Sequence, residues 1–258
     1  MKKSILKFVS VTAAVILAVG AMAGCGSTGA DTADKLVMGT NAAFEPFEFT
    51  TTDGLVGEFD GIDVAIAVEL AKAMNKELVI EDMEFDGLLA SVQTGKIDMA
   101  VAGMTIKPER LESVDFSIPY YTATQVMVVA ADNADITCAE DLKNGKTVGV
   151  VLGYTGDSIV TDDLAIDESL ITRANRGIDV VQDVKNGKLD AVVIDSYTGK
   201  VLAEKNGLKV IEDAEAFEAE EYAIAVAKGN TELLDAINTK LDEMLTSGQI
   251  AEIAAQYN

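Results

Sequence analysis

The chain has 258 residues, with 43 Asp and Glu against 20 Lys and Arg, for a formal net charge of −23. Such acidity repels nucleic acid and anionic lipid, and it favours a solvated surface or a cationic ligand. With no His, no Trp and only two Cys, the composition excludes a His-dependent triad, a His metal site and a disulfide framework; no metal and no cofactor is expected.

At the N-terminus, Lys2, Lys3 and Lys7 precede an apolar run from about Val9 to Ala23 that contains no acidic residue. This pattern predicts a secretory signal over residues 1–24. It closes on Met22-Ala23-Gly24-Cys25, which resembles the lipobox of bacterial lipoproteins with Met where Leu is usual. That resemblance implies lipidation of Cys25 and an anchor in the membrane. Residues 25–34 are small and polar, as a flexible tether would be, so the folded part is expected to begin at Lys35. What remains exceeds one average domain and fits two modest α/β lobes. Cys138, the other cysteine, reads as a half-buried structural thiol.

Strand-like and helical patterns then alternate: Lys35 to Gly39, Ile62 to Met74, Leu78 to Met83, Asp86 to Gln93 and Ile97 to Ala102. The second half repeats the alternation with Thr147 to Val151, a helix after Gly156, another over Ile178 to Lys185, and Leu189 to Ile194. Alternation of this kind predicts parallel α/β construction. An internal echo, Gly95-Lys96-Ile97-Asp98 and Gly187-Lys188-Leu189-Asp190, marks a helix stop followed by a buried strand in each half. Eight residues beyond each Gly lie Gly103 and Asp195, at the carboxyl ends of the two strands, where open α/β sheets bind ligands. Asp98 and Asp190 read as anchors of strand starts, and Glu218, Glu220 and Glu221 as solvated acids.

Directly after the first echo comes Gly103-Met104-Thr105-Ile106-Lys107-Pro108-Glu109-Arg110, in which Pro108 suits a first helical turn. Thr105 offers an amide and a hydroxyl to an anion, and Arg110 a planar fork that matches a carboxylate.

Together with Gly39-Thr40-Asn41-Ala42-Ala43-Phe44-Glu45-Pro46-Phe47-Glu48-Phe49, Gly61-Ile62-Asp63-Val64, Phe85-Asp86-Gly87-Leu88-Leu89, Asp115-Phe116-Ser117-Ile118-Pro119-Tyr120-Tyr121 and Val148-Gly149-Val150, these segments occur in the order found in a known family. Over nearly the whole mature chain the sequence resembles the solute-binding proteins of bacterial polar amino-acid ABC importers, extracellular solute-binding family 3. The resemblance implies an α/β, two-lobed type II periplasmic-binding fold, each lobe a central, mostly parallel sheet flanked by helices. Lobe one would span residues 35–121 plus 222–258 and lobe two residues 127–217, with hinge crossovers near 121–127 and 217–222 and a last helix over Thr231 to Gln256.

Carried over residue by residue, the resemblance places the ligand's α-carboxylate on Arg110, Thr105 and the Thr155 amide, and its α-ammonium on Asp195 and the Gly103 carbonyl. Phe44 and Phe85 become aromatic walls for the side chain, and Met104 joins the binding set with its neighbours. Asn41 stands where many members have Asp, which leaves Gln, Asn and Arg all open as ligands. Tyr154 stands where a small hydroxyl residue is frequent, and its ring either narrows the pocket or paves the hinge side. The implied function is capture of a free polar L-amino acid outside the cytoplasmic membrane and delivery to an ABC permease and ATPase, by a monomer without catalysis. Two other functions fit the same fold: a dehydratase of the cyclohexadienyl or arogenate type, with Glu45 or Asp86 as the acid, and an amino-acid sensing module.

Overall fold

A computed structural model describes residues 34–257. The predicted signal, Cys25 and all of the predicted tether except Asp34 lie outside the described residues. Among the described residues, no helix is long and apolar enough to cross a membrane.

Two five-stranded sheets organise the chain. In the first the strand order is Glu77–Asp82, Lys35–Thr40, Met99–Ala100, Ala225–Ala227 and Val114–Phe116. In the second it is Ile171–Ala174, Val148–Val151, Ala191–Asp195, Gln125–Val129 and Lys209–Ile211. Each sheet has two parallel pairings, as the βαβ alternation predicts, and two antiparallel ones. Four of the five strands in each sheet therefore run the same way, as the mostly parallel expectation has it, and one runs against them. One strand in each antiparallel set, Gln125–Val129 or Ala225–Ala227, belongs to a segment passing between the sheets. Those segments also pair with each other, Tyr121–Ala123 running antiparallel to Glu220–Tyr222.

The helix Ile62–Ala73 buries Ile62, Val64, Ile66, Ala67, Leu70 and Ala71 against the first sheet, an apolar stripe at helical spacing. Each of the Ile, Val and Leu side chains among them stabilises the fold by roughly 1.5–3 kcal/mol if fully removed from water. The second sheet is buried on both faces, with Met127, Val129, Val148 and Val193 in one cluster and Val126, Val128, Val192 and Ile194 in another. That burial explains why its strands read as continuous aliphatic runs.

The echo is a working joint. Gly95 and Gly187 both adopt left-handed backbone, with φ of 70° and 69°. Just beyond, the Asp98 carboxylate accepts from the Val37 amide at 2.7 Å, and the Asp190 carboxylate from the Thr147 amide at 2.8 Å. Each Asp fastens its own strand to the first residues of the neighbouring one. Cys138 is half-buried and free, its thiol turned toward Asp141.

The last helix departs from expectation. It is divided into Thr231–Ser247 and Gln249–Ala254 by Gly248, whose left-handed φ of 80° turns the chain. The turn returns Ile250 and Ile253 to the core that holds Ile237, Leu241 and Met244.

Candidate functional site

The carboxyl ends of the two sheets face a nearly filled cavity of about 10 Å³ lined by Phe44, Phe85, Ala102, Gly103, Thr105, Arg110, Tyr154, Thr155 and Asp195. Eight of these nine residues are expected from the sequence; Ala102 is the addition. Asn41 and Met104 are not in the lining. Asn41 is buried one side chain further back, where its amide nitrogen donates to the Met83 carbonyl and its oxygen accepts from the Tyr154 hydroxyl at 3.0 Å. Met104 is fully buried, with its carbonyl accepting from the Ala223 amide, so it seats the loop rather than facing the cavity.

Arg110 sits on the single helical turn Pro108–Leu111 that follows the loop from the first sheet. Its Nη1 donates to the Thr105 carbonyl at 2.8 Å, and its Nη2 reaches across to the Gly153 carbonyl at 2.9 Å. The guanidinium carbon also lies 5.3 Å from the Phe85 ring centroid. Burial pulls the guanidinium below its ordinary value, opposed by the carboxylates of Asp195, Glu109 and Glu220. On the facing side the Thr155 hydroxyl donates to the Thr105 hydroxyl at 3.0 Å.

Asp195 ends its strand in full burial and accepts from the Tyr222 hydroxyl at 2.6 Å. Burial, with the charge of Glu220 added, pushes its carboxyl up to about 8. The cavity therefore holds a cationic fork on one wall and a carboxyl on another, a pairing that suits a zwitterion.

Three residues that support this site have no role there assigned from the sequence, although Asp63 and Glu48 lie within segments that carry the family resemblance. Glu220, expected to be solvated, is buried; it accepts from Thr105 Oγ1 and Gln125 Nε2, both at 2.5 Å. Its strand alternates buried, exposed, buried over Glu220–Tyr222, so only Glu221 of the three faces water. Beneath the loop, Asp63 Oδ2 accepts from the Gly103 amide and the Tyr120 hydroxyl, both at 2.8 Å. Glu48 lies against Asp63, and burial raises both carboxyls, Glu48 well above the usual range and Asp63 to about 6. Glu48 between Phe47 and Phe49 carries one available signal, an acid set in an aromatic strand.

Gly103 is where this support meets the cavity. Its φ is 52°, and a Cβ there would lie 2.6 Å from Cε1 of Phe44 and 3.4 Å from the Tyr222 ring. Gly103→Ala is expected to lose about 2 kcal/mol or more, from left-handed strain of roughly 1–2 kcal/mol plus displacement of Phe44. Thermal denaturation of the variant checks this.

Neither acid considered for catalysis lines the cavity: Glu45 pairs with Lys205, and Asp86 is exposed beside Gly153. Among the described residues, no group of three or more Cys, Asp and Glu is arranged to hold a metal ion.

Comparison with known proteins gives a consistent picture. Residues 36–258 match the profile of the bacterial extracellular solute-binding proteins, family 3. The chain is 36% identical to the arginine-binding extracellular protein ArtP of Bacillus subtilis, over 92% of each chain. It is similar in structure to the arginine-, lysine-, histidine-binding protein ArtJ of Geobacillus stearothermophilus, with a TM-score of 0.80, 33% identity, and 87% and 95% of the two chains covered. An ancestral arginine-binding protein bound to glutamine gives a TM-score of 0.78 at 37% identity, covering 86% of this chain and 97% of its own.

Proposed function

The chain belongs to the bacterial extracellular solute-binding proteins, family 3, and from that membership we propose that it captures one free polar L-amino acid between its two sheets and hands it to an ABC importer without turnover. The observation that carries this reading is the convergence of Arg110, Thr105, Thr155 and Asp195 on one cavity. The Arg110 fork and the two threonines take the α-carboxylate through charge-assisted hydrogen bonds. Asp195 and the Gly103 carbonyl take the α-ammonium, and Phe44 and Phe85 flank the side chain. Arginine and glutamine are the first ligands to test, because relatives named for arginine, and one bound to glutamine, share most of the chain.

Lobe one is residues 35–121 plus 222–258 and lobe two residues 127–217, closing about crossovers near 121–127 and 217–222. Cys25 carries the lipid that holds a monomeric protein to the outer face of the cytoplasmic membrane. Binding without catalysis is supported by the position of Glu45 and Asp86 outside the cavity.

Calorimetric titration with each of the common amino acids tests the reading. One or a few should bind with a single site per chain; silence toward all of them would remove the proposal.

A further inference from the structure

Tyr154 comes from the second sheet, yet its ring lies between the two aromatic walls contributed by the first. Its centroid is 5.4 Å from that of Phe44 at an interplanar angle of 88°, and 4.6 Å from that of Phe85 at 65°. Both are edge-to-face contacts of the favoured kind. The hydroxyl reaches Asn41 Oδ1, and Asn41 is itself held by Met83. Tyr154 thus presents an apolar body to two rings and a polar tip to an amide at the end of the slot.

The backbone that carries it is fixed. The Gly153 amide donates to Asp157 Oδ2, the Tyr154 amide to the Val151 carbonyl and the Asp157 amide to the Tyr154 carbonyl. Arg173 grips Asp157 from outside through Nε at 2.8 Å. With its loop tied to its own side of the cavity, the phenol leaves the slot either by turning about its side-chain torsions or by moving away together with the loop.

We propose that Tyr154 is the residue that selects ligands by side-chain length: its phenol occupies the slot between Phe44 and Phe85 in place of a long ligand side chain, so long side chains must expel it and short ones need not. This rests on the amino-acid-binding function above and deepens it. An amino acid such as serine meets only the groups that hold its ammonium and carboxylate. Arginine or glutamine must break both ring contacts and the bond to Asn41 before its own side chain reaches the walls. Asn41 is then the group uncovered at the far end of the slot, an amide able to donate or accept.

The test is titration calorimetry of arginine, glutamine and serine against the wild-type chain, Tyr154→Thr and Tyr154→Phe. Tyr154→Thr is expected to shift the ratio of dissociation constants toward the long ligands by on the order of tenfold or more, from the two ring contacts no longer broken. Tyr154→Phe, which keeps the ring, is expected to stay close to the wild-type ratio. If Tyr154→Thr does not fold, Tyr154→Leu takes its place, too short to reach Asn41, and should move the ratio in the same direction. An unchanged ratio in a folded, amino-acid-binding Tyr154→Thr or Tyr154→Leu would overturn the proposal and leave the function intact, as would a Tyr154→Phe that behaves like Tyr154→Thr. Absence of binding by every protein to every amino acid would instead overturn the function and this inference with it.

Discussion

Arg110→Ala is expected to weaken amino-acid binding by roughly a hundredfold or more, since truncating one partner of a buried charge pair costs about 2–5 kcal/mol. The guanidinium is already desolvated and aimed, with Nη1 on Thr105 and Nη2 on Gly153. A ligand carboxylate exchanges bonds to neutral carbonyls for bonds between opposite charges, which are stronger at the same distance. In the variant the carboxylate would enter a dry site with only hydroxyls and amides to meet it. Arg110→Lys should recover part of the loss, because it keeps the charge but not the two parallel donors. Calorimetry measures the affinities, and circular dichroism should show an unchanged fold, since Arg110 stands on a one-turn helix beside the cavity and not in a sheet. Affinity retained in Arg110→Ala would place the carboxylate elsewhere.

Asp195→Asn should raise the thermal stability of the ligand-free protein near pH 8 while removing its affinity for amino acids. The carboxyl is fully buried and pushed up to about 8 from an ordinary 3.8. Between those values the native chain keeps a proton that the unfolded chain has released, so this group's contribution is present below pH 4 and is lost as pH rises toward 8. An amide keeps the bond from the Tyr222 hydroxyl and has no charge to desolvate. For a protein of this size each kcal/mol regained raises Tm by roughly 2–4 °C. Binding has the opposite dependence, since an ammonium requires the ionised carboxylate. Wild-type affinity should therefore weaken as pH falls below 8, approaching about tenfold per unit. Melting curves and titrations across pH 5 to 9 test both. Equal stability of the two proteins at pH 8 would contradict the first expectation, and a pH-independent dissociation constant the second.

The difference between what was legible and what was not follows from distance along the chain. The joint at Gly95 and Asp98 is local, so its residue types carry their own reason, and the same four-residue device at Gly187 identifies its counterpart. Arg110 and Thr105 were legible together because one short loop holds both. Thr105, Gln125 and Glu220 meet only because the crossover strands pair, and the hydrogen bonds to Glu220 span 115 and 95 residues of sequence. A glutamate followed by another glutamate reads as solvated until strand pairing decides which one turns inward. Tyr154 was open for a related reason: its two readings differ by a rotation of one side chain, which sequence does not encode. The break at Gly248 is not legible because the apolar pattern continues through it, and only the left-handed turn brings Ile250 back to the core.

The ribbon formed by Tyr121–Ala123 and Glu220–Tyr222 has a mechanical consequence. Its register pairs Glu220 with Ala123, Glu221 with Thr122 and Tyr222 with Tyr121. Ladder hydrogen bonds resist sliding of one strand past the other far more than they resist flexing of the pair out of its plane. Two separate strands would let the halves of the molecule shear and rotate independently. Laced together, they form a leaf spring with one soft direction, so the opening and closing proposed above would return Arg110 and Asp195 to the same alignment.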